Sequence, residues 1–183
     1  AQTERRFKAV AGISATPMGE AARTVFGRPI PGAELIKTLE AAASQRTAEA
    51  RGAETVYLPT VPERLEDINE KTPTMMREGH DYYHTPRGQH PNAPGLFPLT
   101  SMDKMLAFSV FTLIPDLLTQ PLLLIAGSVA DTKIFSDQAY ALSNGQKELF
   151  VVEGATHIAL YDVPEYVDQA VAKLASFFGR LSS

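Results

Sequence analysis

Two apolar runs near the C-terminus constrain this chain more than any other feature. The first is Pro121-Leu122-Leu123-Leu124-Ile125-Ala126-Gly127 and the second is Glu148-Leu149-Phe150-Val151-Val152. Short, continuously apolar segments of this kind suit strands buried on both faces of a parallel sheet. A helical pattern from about Phe135 to Ser143 lies between them, and Asn144-Gly145 supplies its stop signal. A third segment near the N-terminus, Phe7 to Ala15, is small-residue rich and apolar, and reads as another such strand. Strand, helix and strand in alternation predict an α/β fold.

The closing segment starts a helix near Asp162, with Pro164 in its first turn. Val167, Val171, Leu174 and Phe178 fall at helical spacing and predict one apolar stripe laid against the sheet. The middle of the chain, Thr16 to Leu118, is different. A proline-free helical stretch runs from Gly32 to Gly52, and Met102 to Leu113 again reads as helix. Between them lie proline-rich and charged loops, with no predicted strand. The expected organisation is therefore a sheet-bearing part, residues 1–17 and 116–183, interrupted by a mostly helical insertion, residues 18–115.

Composition narrows the function classes. The chain of 183 residues is long enough for a real core. Its net charge of −4 gives no electrostatic reason to expect a nucleic-acid partner. It has no cysteine, which rules out disulfides and a thiol nucleophile and fits a cytoplasmic location. No apolar run approaches the roughly 20 residues of a membrane span, so no membrane association is expected. The first residue is not Met and a strand-like segment follows almost at once, which points to a segment upstream.

The polar residues just after the two C-terminal strands carry the chemistry. Functional groups in parallel α/β sheets gather at the carboxyl ends of strands. Asp131 follows the first strand, and Gly154-Ala155-Thr156-His157 follows the second. Loops from consecutive strands can bring a carboxylate and an imidazole within hydrogen-bond reach. The carboxylate would then orient the ring, leaving the other nitrogen as general base toward a hydroxyl. Asp131 alternatively suits a turn or helix N-cap role.

No G-x-S-x-G nucleophile elbow occurs anywhere in the chain. Ser14 ends the first strand but lacks flanking glycines in elbow spacing, and reads as a pocket or turn residue. Ser128 and Ser101 also lack an elbow. His84 and His90, with Asp81 nearby, do not have zinc-ligand spacing, so neither a metal nor a cofactor is expected. Arg87 suits either bidentate binding of a substrate carboxylate or anchoring of its own loop. Met75, Met76, Met102, Met105, Phe108 and Phe111 suit either an acyl pocket or the packing of the helical part.

These segments together resemble the C-terminal part of a bacterial α/β-hydrolase of the dienelactone-hydrolase-like, peptidase S9-like superfamily. The resemblance rests on Pro121 to Ser128 followed by Asp131, then Phe135-Ser136, Lys147-Glu148-Leu149-Phe150, Gly154-Ala155-Thr156-His157 and Tyr161-Asp162. Arg6-Phe7-Lys8-Ala9-Val10-Ala11 resembles the strand after the nucleophile helix. Tyr82 to Pro91 resembles the helical insertion of an uncharacterised subgroup, some of whose members are described as polyketide thiohydrolase-like.

The resemblance implies a serine hydrolase of carboxylic esters or thioesters, with Asp131 as triad acid, His157 as triad base and residues 18–115 as a cap. Ser14, Met18, Arg87 and Met105 become candidate substrate-binding residues. The nucleophile and the oxyanion hole would lie in a missing N-terminal half. An alternative expectation is an inactive half-hydrolase that acts as an interaction or dimerisation module, recruiting a strand or a second copy to the exposed edge of its first strand.

Overall fold

The structure is a computed structural model that describes residues 1–180, so the last three positions of the expected sheet-bearing part, 181–183, lie outside the described residues. Its strands in chain order are β1 (Val10–Ile13), β2 (Thr24–Val25), β3 (Arg28–Pro29), β4 (Tyr57–Pro59), β5 (Leu96–Pro98), β6 (Leu122–Gly127) and β7 (Lys147–Val152). Its helices are α1 (Met18–Arg23), α2 (Gly32–Glu49), α3 (Thr74–Tyr83), α4 (Met102–Ala107), α5 (Ile114–Leu117), α6 (Lys133–Leu142), α7 (Ala159–Asp162) and α8 (Pro164–Gly179). The chain divides into two compact units, one formed by Ala1–Pro17 and the chain from Val110 onward, the other by Met18–Ser109.

The first unit is an α/β layer built on a parallel sheet of order β1-β6-β7. All six residues of β6 are buried, because a central strand has helices over both faces and no solvent side. Leu123, Ile125 and Val152 pack on one face with Leu160, Ala170 and Phe177. Leu122 and Leu124 pack on the other with Ile114, Leu118 and Ala139, so α5 and α6 cover that side.

The stripe of α8 that meets the sheet differs from the expected one. Ala170 and Phe177 are buried and Tyr166 and Leu174 pack beside them, whereas Val171 and Phe178 are 55% and 41% exposed. The helix carries two overlapping apolar stripes about 100° apart. The stripe containing Ala170 lies inward, and a methyl side chain lets the helix come close to the strands.

Strand β1 hydrogen-bonds on one side only. Val10 and Ser14 donate their amides to Pro121 and Ile125, at 2.9 Å each. The alternate amides of Ala11 and Ile13 face the opposite edge, where no strand pairs among the described residues. Ile13 is 40% exposed, unlike the buried residues of β6.

In the second unit, no strand was expected and four short ones form. Strands β2 and β3 make a hairpin around Phe26-Gly27, both at positive φ (45° and 85°). That is the primed-turn geometry of two-residue hairpins, with a phenylalanine where the usual signal is Asn or Asp. Strands β4 and β5 pair across a long interval and carry Pro59 and Pro98, which a two-stranded ribbon tolerates because both strands are edges.

The expected helix from Met102 to Leu113 stops at Ala107, with Phe108 extended. A Cβ at Gly19 would lie 1.8 Å from the carbonyl oxygen of Phe108, so α1 and α4 meet backbone to backbone. The Arg23 guanidinium donates to the carbonyls of Leu106 and Phe108 at 2.5 and 2.9 Å, satisfying groups that the end of the helix leaves free. Among the described residues, no helix is long and apolar enough to cross a membrane.

Candidate active site

The loops after β6 and β7 are pressed together at the carboxyl end of the sheet. Gly127, the last residue of β6, pairs with Val152. A Cβ at Gly127 would lie 2.0 Å from the carbonyl oxygen of Ala155, so only a glycine fits this approach. Ser128 and Val129 donate their amides to Val152 and Ala155 at 2.9 and 3.2 Å. The Ser128 hydroxyl in turn accepts from the amide of Gly154 at 2.9 Å. Gly154 sits at φ +75°, a conformation that side chains rarely adopt.

This stitching buries His157 and Thr132 side by side, each 2% exposed. Thr132 Oγ1 lies 2.6 Å from His157 Nδ1. The Tyr161 hydroxyl lies 2.7 Å from His157 Nε2. Thr156 accepts the amide of Ala159 at 3.1 Å and opens α7, which carries Tyr161 one helical turn beyond the histidine. Both ring nitrogens are therefore bonded to hydroxyls, each of which can donate or accept.

Burial pushes the imidazole down to a pKa of about 4, and the negative charge of Asp131 pulls the other way without overcoming it. His157 is consequently neutral at pH 7. A general base for work near neutrality is most effective with a pKa near the operating pH, so in this setting the ring is a weak base. The N-cap position of α6 belongs to Thr132, not Asp131.

Ser14 is buried, takes a left-handed conformation at φ 44° and donates its hydroxyl to the carbonyl of His157 at 3.4 Å. It thus closes the turn after β1 and ties that strand to the histidine loop. Ser14, Asp131 and His157 are gathered at one edge of one sheet. The other three sequence candidates belong to the second unit. Met18 opens α1 and is 47% exposed, and Met105 is half-buried on α4. Arg87 anchors its loop, with Nη1 2.9 Å from Asp81 Oδ2 and the guanidinium 5.5 Å above the Tyr82 ring. Among the described residues, no group of three or more His, Cys, Asp or Glu is placed to hold a metal.

Sequence reasoning missed the roles of Thr132 and Tyr161. The i, i+4 spacing of His157 and Tyr161 was a usable signal, since such residues share one helical face. Nothing local marked Thr132, because its contact joins two loops. Thr132→Val is expected to leave Nδ1 buried without a partner and to cost about 1–3 kcal/mol in urea unfolding; an unchanged midpoint and slope would count against this contact.

Beside β1, on the α6 face, the first unit holds an apolar cavity of about 340 Å³. Val10, Gly12, Leu122, Leu124, Phe135 and Ala139 contribute to its walls.

No family model matches the chain. It is 34% identical over 177 residues to the uncharacterized protein YcjY of Escherichia coli, an alignment covering 96% of this chain and 56% of that protein. It is 30% identical over 162 residues to the uncharacterized protein PA2218 of Pseudomonas aeruginosa, covering 87% of this chain and 43% of that one. The chain thus spans about half the length of the curated relatives it matches. The crystal structure of PA2218 superposes with a TM-score of 0.86 at 28% identity, over 98% of this chain and 55% of that one. The alpha/beta hydrolase GrgF from Penicillium superposes with a TM-score of 0.64 at 15% identity, over 96% of this chain and 57% of that one. The chain therefore shares its α/β fold with hydrolases of known structure.

Proposed function

We propose that this chain carries the acid and the histidine of a serine-type ester or thioester hydrolase whose nucleophile comes from a further polypeptide segment. The observation that carries the reading is the pairing of the β6 and β7 loops, which buries His157 within reach of the Asp131 charge at the carboxyl edge of a parallel sheet. In the reaction, a serine hydroxyl attacks the substrate carbonyl while His157 Nε2 accepts its proton. The tetrahedral intermediate expels the alcohol or thiol, which takes that proton from the imidazolium. Water then attacks the acyl-serine, with His157 again as base and then acid. Asp131 stabilises the imidazolium in both halves.

The open edge of β1 supports a place for the missing segment. The β6-α6-β7 crossover lies over the face of Leu122 and Leu124. A strand that pairs at the far edge of β1 and leads through a helix back toward it moves across the sheet in the same direction. Right-handed crossovers then put its helix on that same face, where the cavity beside Val10 and Gly12 stands. The fit also agrees with relatives about twice as long.

This polypeptide alone is expected to show no His157-dependent turnover of p-nitrophenyl esters. Extended to the length of its curated relatives, it is expected to turn such esters over and to lose that activity on His157→Ala or Asp131→Asn. Activity of the short chain that His157→Ala abolishes, or activity of the long chain that survives it, overturns the reading. The exposed edge of β1, with Ile13 40% exposed, favours a second reading: a half-hydrolase serving as an interaction module. A long chain without esterase activity, together with a short chain that forms a stable dimer by sedimentation, selects that alternative.

A further inference from the structure

The bond between His157 and Tyr161 has a consequence for the direction in which the ring presents its lone pair. A neutral imidazole has one N–H and one acceptor nitrogen, and His157 meets a hydroxyl at each: Thr132 at Nδ1 (2.6 Å) and Tyr161 at Nε2 (2.7 Å). The two hydroxyls are not equal. A phenol, with an ordinary pKa of about 10, is a much stronger donor than an aliphatic alcohol. Tyr161 is therefore the better donor to a lone pair and Thr132 the better acceptor of an N–H. The rings of His157 and Tyr161 also meet edge to face, with centroids 5.3 Å apart. The main chain of His157 is held independently by the Ser14 hydroxyl.

We propose that Tyr161 is the positioning residue of His157: its hydroxyl donates to Nε2, keeps the ring proton on Nδ1, and holds the place that a nucleophile hydroxyl takes when one arrives. This arrangement presets the tautomer that a general base requires, with the lone pair on the nitrogen that meets the nucleophile. It also means that a nucleophile must displace the Tyr161 hydroxyl from the same atom at much the same distance. His157 is 2% exposed and Tyr161 37%, so the tyrosine is the partner with room to move away. The inference rests on the proposed role of His157 as base. Its readout needs no turnover, so the two can fail separately.

The test is nitrogen-15 NMR of the histidine-labelled chain, with the His157 signals assigned by their loss in His157→Gln. At pH 7 the wild-type ring is expected to carry its proton on Nδ1 and a bare, hydrogen-bonded Nε2. Tyr161→Phe removes the donor to that lone pair, which is one support of the neutral ring. Burial, which holds the wild-type midpoint near 4, is kept in this variant, so the midpoint is expected to rise only in part, and the tautomer population is expected to shift toward Nε2–H. A purely structural tyrosine would move neither. A wild-type ring protonated on Nε2, or a folded Tyr161→Phe variant with unchanged tautomer and midpoint, overturns the proposal. If that variant does not fold, the wild-type spectrum decides: a coupling across the hydrogen bond from the Tyr161 hydroxyl to Nε2 supports the proposal, and the opposite tautomer ends it.

Discussion

Gly127→Ala is expected to cost about 4 kcal/mol or more, at the upper end of what single substitutions do. The reason is space and not backbone conformation. The new Cβ would stand 2.0 Å from the carbonyl oxygen and 2.5 Å from the carbonyl carbon of Ala155. Those atoms belong to a fully buried residue whose carbonyl also accepts the Val129 amide, so neither side can yield as a flexible side chain would. Against a typical total stability of about 5–15 kcal/mol, the variant would unfold in far less urea. Any folded remainder would have the Asp131 and His157 loops pushed apart, which gives the measurement a second readout in the titration of His157. A loss below about 1 kcal/mol would show that the two loops do not meet as described. By contrast, a Cβ at Gly154 meets only the Tyr166 hydroxyl at 3.4 Å, and that position needs glycine for its φ.

Acidification from pH 6.5 to pH 4 is expected to cost the protein up to about 3 kcal/mol through His157 alone. In the unfolded chain the imidazole takes a proton at its ordinary value near 6.5, whereas burial in the folded chain holds it to about 4. Between those values the unfolded state binds more protons, so stability is fully present above pH 6.5 and falls as the pH drops toward 4. The span of about 2.5 pH units at about 1.4 kcal/mol each sets a full effect of about 3.5 kcal/mol, part of which is lost only below pH 4, where the folded ring is half protonated. His157 is not the one group that links stability to pH, since the Glu148 carboxylate is held below its ordinary value, first by its hydrogen bond with Lys173. The measurement is therefore a difference: urea unfolding of wild type and His157→Gln from pH 7 to pH 4. The two curves are expected to converge as the pH falls. Parallel curves would mean that the ring is solvated in the folded chain and already protonates freely.

Much of the sheet was legible because β1, β6 and the last four residues of β7 are apolar. Leu122 to Gly127 is too short for an ordinary helix and apolar at every position, as a central strand is, and it is buried throughout. The α/β alternation and the placement of Asp131 and His157 after strand ends follow from the same local patterns. What escaped is non-local. The pairing of β4 with β5 joins residues far apart in sequence, and no pattern within either short segment announces it. The inward face of α8 turned on Ala170, whose small side chain matters only against a sheet. The end of α4 at Ala107 coincides with a close approach of Gly19 on another helix to the Phe108 carbonyl.

The acid and the histidine show the same division. Residue types and spacing determined that an acid and a histidine follow two consecutive apolar strands, because strand patterning is written into consecutive side chains; of the two, β6 is buried throughout, whereas in β7 Val152 alone is buried. Tertiary structure alone decided what the imidazole touches: Thr132 on one nitrogen, Tyr161 on the other, Asp131 acting through its charge, and Ser14 holding the main chain. Hydrogen bonds and desolvation depend on which loops are pressed together. Here that is set by the close approach of Gly127 to the carbonyl of Ala155 and by the hydrogen bonds of Ser128, Val129 and Gly154 beside it, none of which a linear pattern records.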